Sequence, residues 1–211
     1  MSRRGGRCSP STLPLLAAVL VLLCASSARA LGPCTGSNRE GPWYVPAHAK
    51  VQTGGYLGAL TLGAGYAPWQ VLEVGAYYGW VPASLGGVDI HSLALRLGAR
   101  VRGTCVARDW NWVYLTGGVG ALFTAGDGFF LTVPERYHDP HYYRRTGVRG
   151  LLTVGTELNR RQSGGSFVAS QGVFVEVTTI DEYLRLWAKS PRAEPFLATF
   201  STSLGYRIGF R

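Results

Sequence analysis

The fifteen residues that end at Phe210 alternate regularly between apolar and polar side chains. Apolar or aromatic residues occupy every second position from Phe196 to Phe210, with Thr202 as the exception. From residue 199 onward, the positions between them are small or polar: Thr199, Ser201, Ser203, Gly205, Arg207 and Gly209. Because successive side chains of a strand point to opposite faces, this pattern predicts a long β-strand with one apolar face. Such contrast is typical of transmembrane barrels, in which lipid contacts one face and a polar lumen the other.

The composition also favours closed β structure. The chain of 211 residues contains 29 glycines, 12% aromatic residues and only 16% charged residues, a balance more typical of β proteins than of helical ones. The formal net charge is +9, and four of the arginines responsible lie in the first thirty residues. Because no run of Lys or Arg is interleaved with aromatic residues, the sequence does not predict nucleic-acid binding.

The first thirty residues predict a cleaved signal peptide. Residues 3–7 contain three arginines, residues 13–23 are apolar, and residues 28–30 form an Ala-Arg-Ala cleavage site. The apolar run is too short for a membrane-spanning helix, which needs about twenty residues. We therefore expect an exported chain that begins near Leu31 and crosses any membrane with strands. The alternatives are the twin-arginine export route and a lipoprotein site at Cys24, against which the bulky Leu23 argues.

Seven amphipathic segments of the exported chain are predicted as strands. They are Gln52–Tyr66, Trp69–Val81, Asp89–Arg102, Trp110–Phe123, Thr146–Asn159, Phe167–Thr179 and the terminal segment. The third has the clearest alternation, with Leu93, Leu95 and Leu97 on one face and Ser92 and Arg96 on the other. The same alternation predicts that Tyr56 in the first segment and Val113 in the fourth face the lipid.

Loop lengths predict one further strand. Bacterial single-chain barrels have an even number of strands, with short periplasmic turns and long extracellular loops. The connections 124–145 and 181–195 are long, which places the C-terminus in the periplasm and requires the chain to cross outward before Gln52. Segment 42–50 is the candidate, but its two prolines remove backbone donors, so an irregular strand and a plug inside the lumen both stay open.

The predicted fold is an all-β, antiparallel up-and-down transmembrane β-barrel of eight strands. Its parts are the signal peptide at 1–30, an N-terminal periplasmic segment at 31–51 and the barrel at 52–211. The second long connection predicts a short helix over Ile180–Trp187. A soluble, secreted all-β sandwich is the architectural alternative.

Cys34 and Cys105 are the two cysteines of the expected exported chain. Both would lie on the periplasmic side, so a single disulfide between them is predicted, with two unpaired thiols as the alternative. The sequence contains no CxxC motif or Cys/His cluster, so it predicts no structural zinc site, and we expect no cofactor.

The inward faces of the predicted strands carry charges of both signs. The predicted lumen network consists of Glu73, Arg96, Arg100, Arg149, Glu157 and Glu176, with Arg102 on the same face. The interior of an eight-stranded barrel is only wide enough for its own side chains, and buried charges there must pair. A salt-bridged, closed lumen is therefore predicted, and a narrow polar pore is the alternative.

The connection 124–145 contains the densest group of Arg and aromatic residues. Its predicted surface-interaction residues are Arg136, Tyr137, His138, His141, Tyr142 and Tyr143. Arg pairs well with phosphate and Tyr favours the membrane interface, so we expect this loop to contact lipopolysaccharide and outer-membrane lipids. A metal site formed by His138 and His141 is the less favoured interpretation.

The adjacent pair His91-Ser92 raises the possibility of a hydrolase. A strand-borne Ser and His must share a face to exchange a proton, but adjacent residues point to opposite faces. No catalytic residue is therefore predicted. The alternative function is a barrel enzyme that acts on lipid A or phospholipid.

Three segments together resemble the small bacterial outer-membrane β-barrel superfamily, which includes the OmpA-like and lipid A deacylase-like barrels. They are Gly54–Tyr66, Tyr114–Ala121 and the terminal alternation. The resemblance implies a barrel in the outer membrane of a Gram-negative bacterium, but it is architectural and implies no particular activity. Because no catalytic residue is predicted, we expect a monomer with a non-enzymatic structural or interaction role. It also implies insertion by the barrel assembly machinery through a C-terminal strand that ends in an aromatic residue, although Phe210 is penultimate here. The same-face His and Ser of the deacylases are not matched.

Overall fold

The computed structural model describes residues 44–68, 71–126, 129, 146–162, 167–189 and 199–211. These residues form a closed barrel of eight antiparallel strands, in which each strand pairs with its neighbours in the chain and the last pairs with the first. The strands are β1 His48–Gly54, β2 Leu60–Tyr66, β3 Leu72–Val81, β4 Ile90–Ala107, β5 Trp110–Ala125, β6 Val148–Arg161, β7 Val168–Ile180 and β8 Ser201–Phe210. The predicted all-β, eight-stranded architecture is thereby confirmed.

The connections divide the barrel into two ends. We call the loop end the one that holds the connections β1–β2, β3–β4, β5–β6 and β7–β8, and the turn end the opposite one. The first strand, β1, starts at the turn end and the last strand, β8, finishes there, because His48 pairs with Gly209.

Two helices lie at the loop end among the described residues. Helix α1 is a single turn, Ala83–Gly86, and α2 spans Asp181–Lys189. Helix α2 confirms the helix predicted over Ile180–Trp187; it has acidic residues in its first turn and Lys189 in its last, which suits the helix dipole. No helix of the described ranges has the length and apolar character needed to cross a membrane.

The single strand predicted over Gln52–Tyr66 is wrong. The structure divides this segment into β1 and β2, which pair with each other through a turn at residues 55–59. Gly54 and Gly55 adopt φ values of 81° and 79°, a backbone region that glycine enters without steric cost, and this reverses the chain. The eighth strand is therefore the regular strand β1, which crosses the boundary expected at residue 51.

The predicted alternation of faces is present in most strands. In β4, Leu93, Leu95 and Leu97 are 46–52% exposed on the outer surface, whereas Ser92 and Arg96 are under 9% exposed inside. Strand β8 alternates in the same way but is shorter than its apolar pattern, because it begins only at Ser201. The period-two pattern therefore distinguishes the two faces correctly over most of the barrel wall.

Val113 contradicts the predicted face of β5. It was expected to face outward, yet it is fully buried. The pairing of β5 with β6 shifts between Val113 and Thr116, as happens at a β-bulge. Tyr114 and Leu115 are consequently both exposed, and the outward positions change from even to odd numbers.

Several glycines provide the space that large luminal side chains occupy. A Cβ atom at Gly63 would lie 2.0 Å from the ring of Tyr77, which projects inward from the adjacent strand β3. Similarly, a Cβ at Gly205 would lie 2.3 Å from the ring of Phe174. The high glycine content thus follows from a narrow interior that must hold bulky side chains.

We expect Gly63→Ala to destabilise the barrel by about 1–3 kcal/mol, because the added methyl group overpacks against Tyr77. The matched control is Gly98→Ala, where the nearest atom would be 3.5 Å away. The measurement is the free energy of unfolding of each variant, obtained from a urea titration. Equal effects of the two substitutions would contradict this account of the glycines.

Candidate functional site in the barrel lumen

Inward positions of six strands supply the charged side chains of the lumen. They are Lys50 on β1, Glu73 on β3, Arg96 and Arg100 on β4, Glu157 on β6, Glu176 on β7 and Arg207 on β8. The antiparallel pairing brings these residues together although most are far apart in the chain. They form two adjoining clusters, one around Glu176 and one around Arg207.

The first cluster is centred on the carboxylate of Glu176. Lys50 Nζ lies 3.1 Å from Glu176 Oε1, and Arg96 Nη1 lies 2.9 Å from Oε2. Aromatic rings contact both cations: Lys50 Nζ is 4.6 Å from the ring centre of Phe174, and the Arg96 guanidinium is 4.9 Å from that of Tyr77. Each cation therefore has both a carboxylate partner and an aromatic neighbour.

The second cluster is centred on the guanidinium of Arg207. It donates through both terminal nitrogens to Glu73, a forked arrangement that favours arginine over lysine. Arg207 Nη1 is also 3.3 Å from Glu157 Oε2, while Arg100 Nη2 is 3.2 Å from Oε1 of the same carboxylate. Asn159 donates a further hydrogen bond to Glu157. The cluster is thus a continuous chain of charge-assisted hydrogen bonds.

Burial makes this pairing necessary. The side chains of Glu157, Glu176 and Arg207 are 1%, 4% and 7% exposed, so an unpaired member would lose hydration without compensation. The cavity between the two clusters has about 20 Å³ for the centre of a water molecule, which is space for little more than one water. Around the two clusters, the lumen is therefore filled by its own side chains.

The structure brings together five of the six residues that the sequence predicted for this network. The exception is Arg149, which lies near the loop end and pairs with Glu182 of helix α2. The alternation correctly predicted that Arg149 faces inward. It does not indicate how far along the barrel axis a residue lies. The side chain of Arg102 lies outside the described part of the structure.

Sequence reasoning missed three luminal residues: His48, Lys50 and Arg207. Arg207 occupies a polar position of the terminal alternation, so that pattern already contained the signal. His48 and Lys50 lie in a segment whose neighbouring prolines suggested irregular backbone. His48 is fully buried beside the second cluster, with Nε2 3.9 Å from Glu73 Oε2.

The β1–β2 turn closes the lumen at the loop end. Leu57 is 1% exposed and packs in an apolar cluster with Tyr77, Ala94, Leu122 and Leu151. The Ser92 hydroxyl donates to the Leu57 carbonyl, which fixes the turn inside the barrel. The turn, together with this cluster, therefore forms a cap above the charged network.

Tyr56, which was predicted to face lipid, belongs to this cap instead. Its hydroxyl donates to the Thr199 carbonyl, with a distance of 3.1 Å. Its ring stacks on Tyr183 of helix α2 at a centroid distance of 5.7 Å. Burial, together with the neighbouring Tyr183, raises the pKa of the Tyr56 phenol. Helix α2 is thereby connected to the β1–β2 turn.

Ser92 and His91 project to opposite faces of β4. Ser92 is buried in the lumen, whereas His91 is exposed outside, with Nδ1 2.6 Å from the Tyr78 hydroxyl oxygen. The two side chains therefore do not form a Ser–His pair. Within the described residues, no group of three or more His, Cys, Asp or Glu side chains is placed to hold a metal ion.

Two predicted sites fall wholly or partly outside the described residues. Cys105 lies in β4 near the turn end, but Cys34 is outside the described ranges, so their disulfide stays a prediction. The surface-interaction residues Arg136, Tyr137, His138, His141, Tyr142 and Tyr143 also lie outside those ranges.

No protein-family model matches the chain, and no curated protein matches it at a significant level. The geometry of the barrel itself is therefore the basis for proposing a function.

We expect Glu157→Gln to destabilise the protein by about 3–5 kcal/mol, because it leaves the buried guanidinium groups of Arg207 and Arg100 short of a negative partner. The matched control is Glu182→Gln. Glu182 pairs with Arg149 at the loop end and is 35% exposed, so we expect a loss of about 0–1 kcal/mol. Urea unfolding in detergent micelles measures both. Similar losses for the two variants would show that the luminal network does not stabilise the barrel.

Proposed function

We propose that this protein is an integral outer-membrane β-barrel of a Gram-negative bacterium, with a non-enzymatic structural or interaction role. The observation that carries the proposal is a continuous apolar band around the outside of the barrel. All eight strands contribute to it with a side chain that is 37–57% exposed: Val51, Leu62, Val74, Leu95, Val119, Val154, Val173 and Leu204. Soluble monomers rarely expose a contiguous apolar surface of this kind, whereas a membrane barrel requires one.

Aromatic side chains at both margins of this band support a membrane location. Toward the turn end, the exposed aromatic residues include Tyr66, Trp110, Trp112, Tyr114 and Phe167. Toward the loop end, they include Tyr78, Trp80 and Phe123. Tyr and Trp concentrate at both membrane–water interfaces, so two such groups separated by aliphatic residues match the profile of a bilayer.

The sequence supports the outer membrane as the location and also suggests an orientation. The predicted signal peptide implies export, and export followed by crossing with strands leads to the outer membrane. Short connections at the turn end would face the periplasm, whereas the longer connections and α2 would face outward. The barrel assembly machinery is the proposed partner during insertion.

The filled lumen favours a structural or interaction role over a pore. The charged clusters leave room for little more than one water molecule, and the β1–β2 turn covers them from the loop end. The proposed contacts with the surroundings are therefore made by the outer surface and the loops, including contacts of residues 136–143 with lipopolysaccharide.

We expect Leu95→Arg to prevent efficient insertion, because a cation near the middle of the bilayer costs about 2–4 kcal/mol. The matched control is Leu85→Arg in helix α1 at the loop end, where Leu85 is 73% exposed and would contact water. The measurement is the boiling-dependent shift in gel mobility after refolding into lipid vesicles. A shift lost only in the Leu95 variant supports a membrane barrel. If both variants fold equally well in the absence of lipid and detergent, the barrel is soluble and the proposal fails.

The closed lumen predicts that the protein adds no steady unit conductance to a planar bilayer. Barrels that have first shown the gel shift are reconstituted and recorded in symmetric salt. A stable conductance step that recurs between preparations would contradict the non-pore role and favour the narrow-pore alternative.

A further inference from the structure

Three arginines form a basic corner at the turn end of the barrel. Arg108 lies in the β4–β5 turn, and Arg160 and Arg161 end strand β6; all three side chains are exposed. The amide of Arg161 donates to the carbonyl of Asp109 over 2.7 Å, so the end of β6 lies directly beside that turn. The pairing of β5 with β6 therefore gathers charges that are about fifty residues apart in the chain.

The basic corner has an excess of positive charge. Against its three arginines stands the carboxylate of Asp109, which is half-buried. In the described part of the loop end the charges are mixed, because helix α2 carries Asp181 and Glu182 as well as Arg185 and Lys189. The two rims of the barrel consequently differ in the anionic surfaces that they attract.

Exposed aromatic residues extend from the basic corner toward the middle of the barrel. Trp110 is the register partner of Arg160 and is 40% exposed. Farther along β5, Trp112 and Tyr114 are 45% and 41% exposed, with their rings 6.0 Å apart in an edge-to-face arrangement. The arginines thus occupy the end of an aromatic strip that leads into the apolar band.

We propose that the basic corner binds the headgroup of an anionic phospholipid in the leaflet at the turn end. This inference rests on the proposed membrane location. Guanidinium groups match the geometry of phosphate oxygens, while Trp and Tyr favour the depth at which headgroup and acyl chain meet. Continuity between the arginines and the aromatic strip favours a lipid over a free phosphate ion, because only a lipid would use both parts.

The experiment compares two variants that each remove two positive charges. Arg108→Gln/Arg160→Gln changes the basic corner, and Arg185→Gln/Lys189→Gln changes exposed positions of α2 at the opposite end. The protein is purified in detergent and must first show the boiling-dependent gel shift. It is then mixed with equal concentrations of phosphatidylglycerol and phosphatidylcholine, and the retained lipids are counted by native mass spectrometry.

We expect the unchanged protein and the α2 variant to retain phosphatidylglycerol preferentially. In the basic-corner variant, we expect the ratio of retained phosphatidylglycerol to retained phosphatidylcholine to fall at least about fivefold. No preference in the unchanged protein, or equal losses in both variants, would overturn the inference. Displacement of phosphatidylglycerol by inorganic phosphate would also overturn it by indicating a free-anion site. Preferential displacement by lipopolysaccharide would overturn the assignment to a phospholipid. Because the gel shift is tested first, any of these results would leave the proposed membrane location standing.

Discussion

The buried fork between Arg207 and Glu73 is the interaction on which the lumen depends. It joins β8 to β3 across the interior, and Arg207 continues to Glu157, which in turn pairs with Arg100. These contacts connect strands that share no backbone hydrogen bonds. An eight-stranded barrel has little room for water to hydrate such charges, so these luminal cations require carboxylate partners. The barrel can therefore close around these side chains only if their charges are paired.

This requirement explains why glycine and large side chains alternate on neighbouring strands. Arg96 projects inward between Gly75 and Gly120, its register partners on β3 and β5. Glu176 similarly faces Gly155 on β6, where a Cβ would approach within 2.9 Å of the Glu176 side chain. Backbone without a side chain provides the volume that a long charged side chain fills. The composition of the chain thus follows from packing inside a narrow cylinder.

The sequence predicted which face most residues occupy but not how deep they lie or where strands break. Period-two alternation predicted the exposed leucines of β4 and the inward Glu176, because burial on one side follows directly from the pleat. The turn after Gly54 was missed because the alternation on either side was extended through it, although Gly54, Gly55 and Gly58 are residues typical of turns. Arg149 was placed in the network because alternation cannot distinguish a residue in the middle of the lumen from one at the rim. Val113 was misassigned because a bulge in β5 changes the phase of the alternation.

The outer surface differs in charge between the two ends of the barrel, which the alternation of apolar and polar residues did not predict. The apolar band is nearly uniform around the barrel, whereas the charged rims differ between the two ends. Arg160 is separated from Arg108 by one strand and from the luminal Glu157 by only three residues, yet it is exposed while Glu157 is 2% exposed. One strand thus contributes both to the charge network inside and to the basic corner outside. Since the inner network stabilises β6 in its register, it also determines where Arg160 and Trp110 meet the proposed membrane interface.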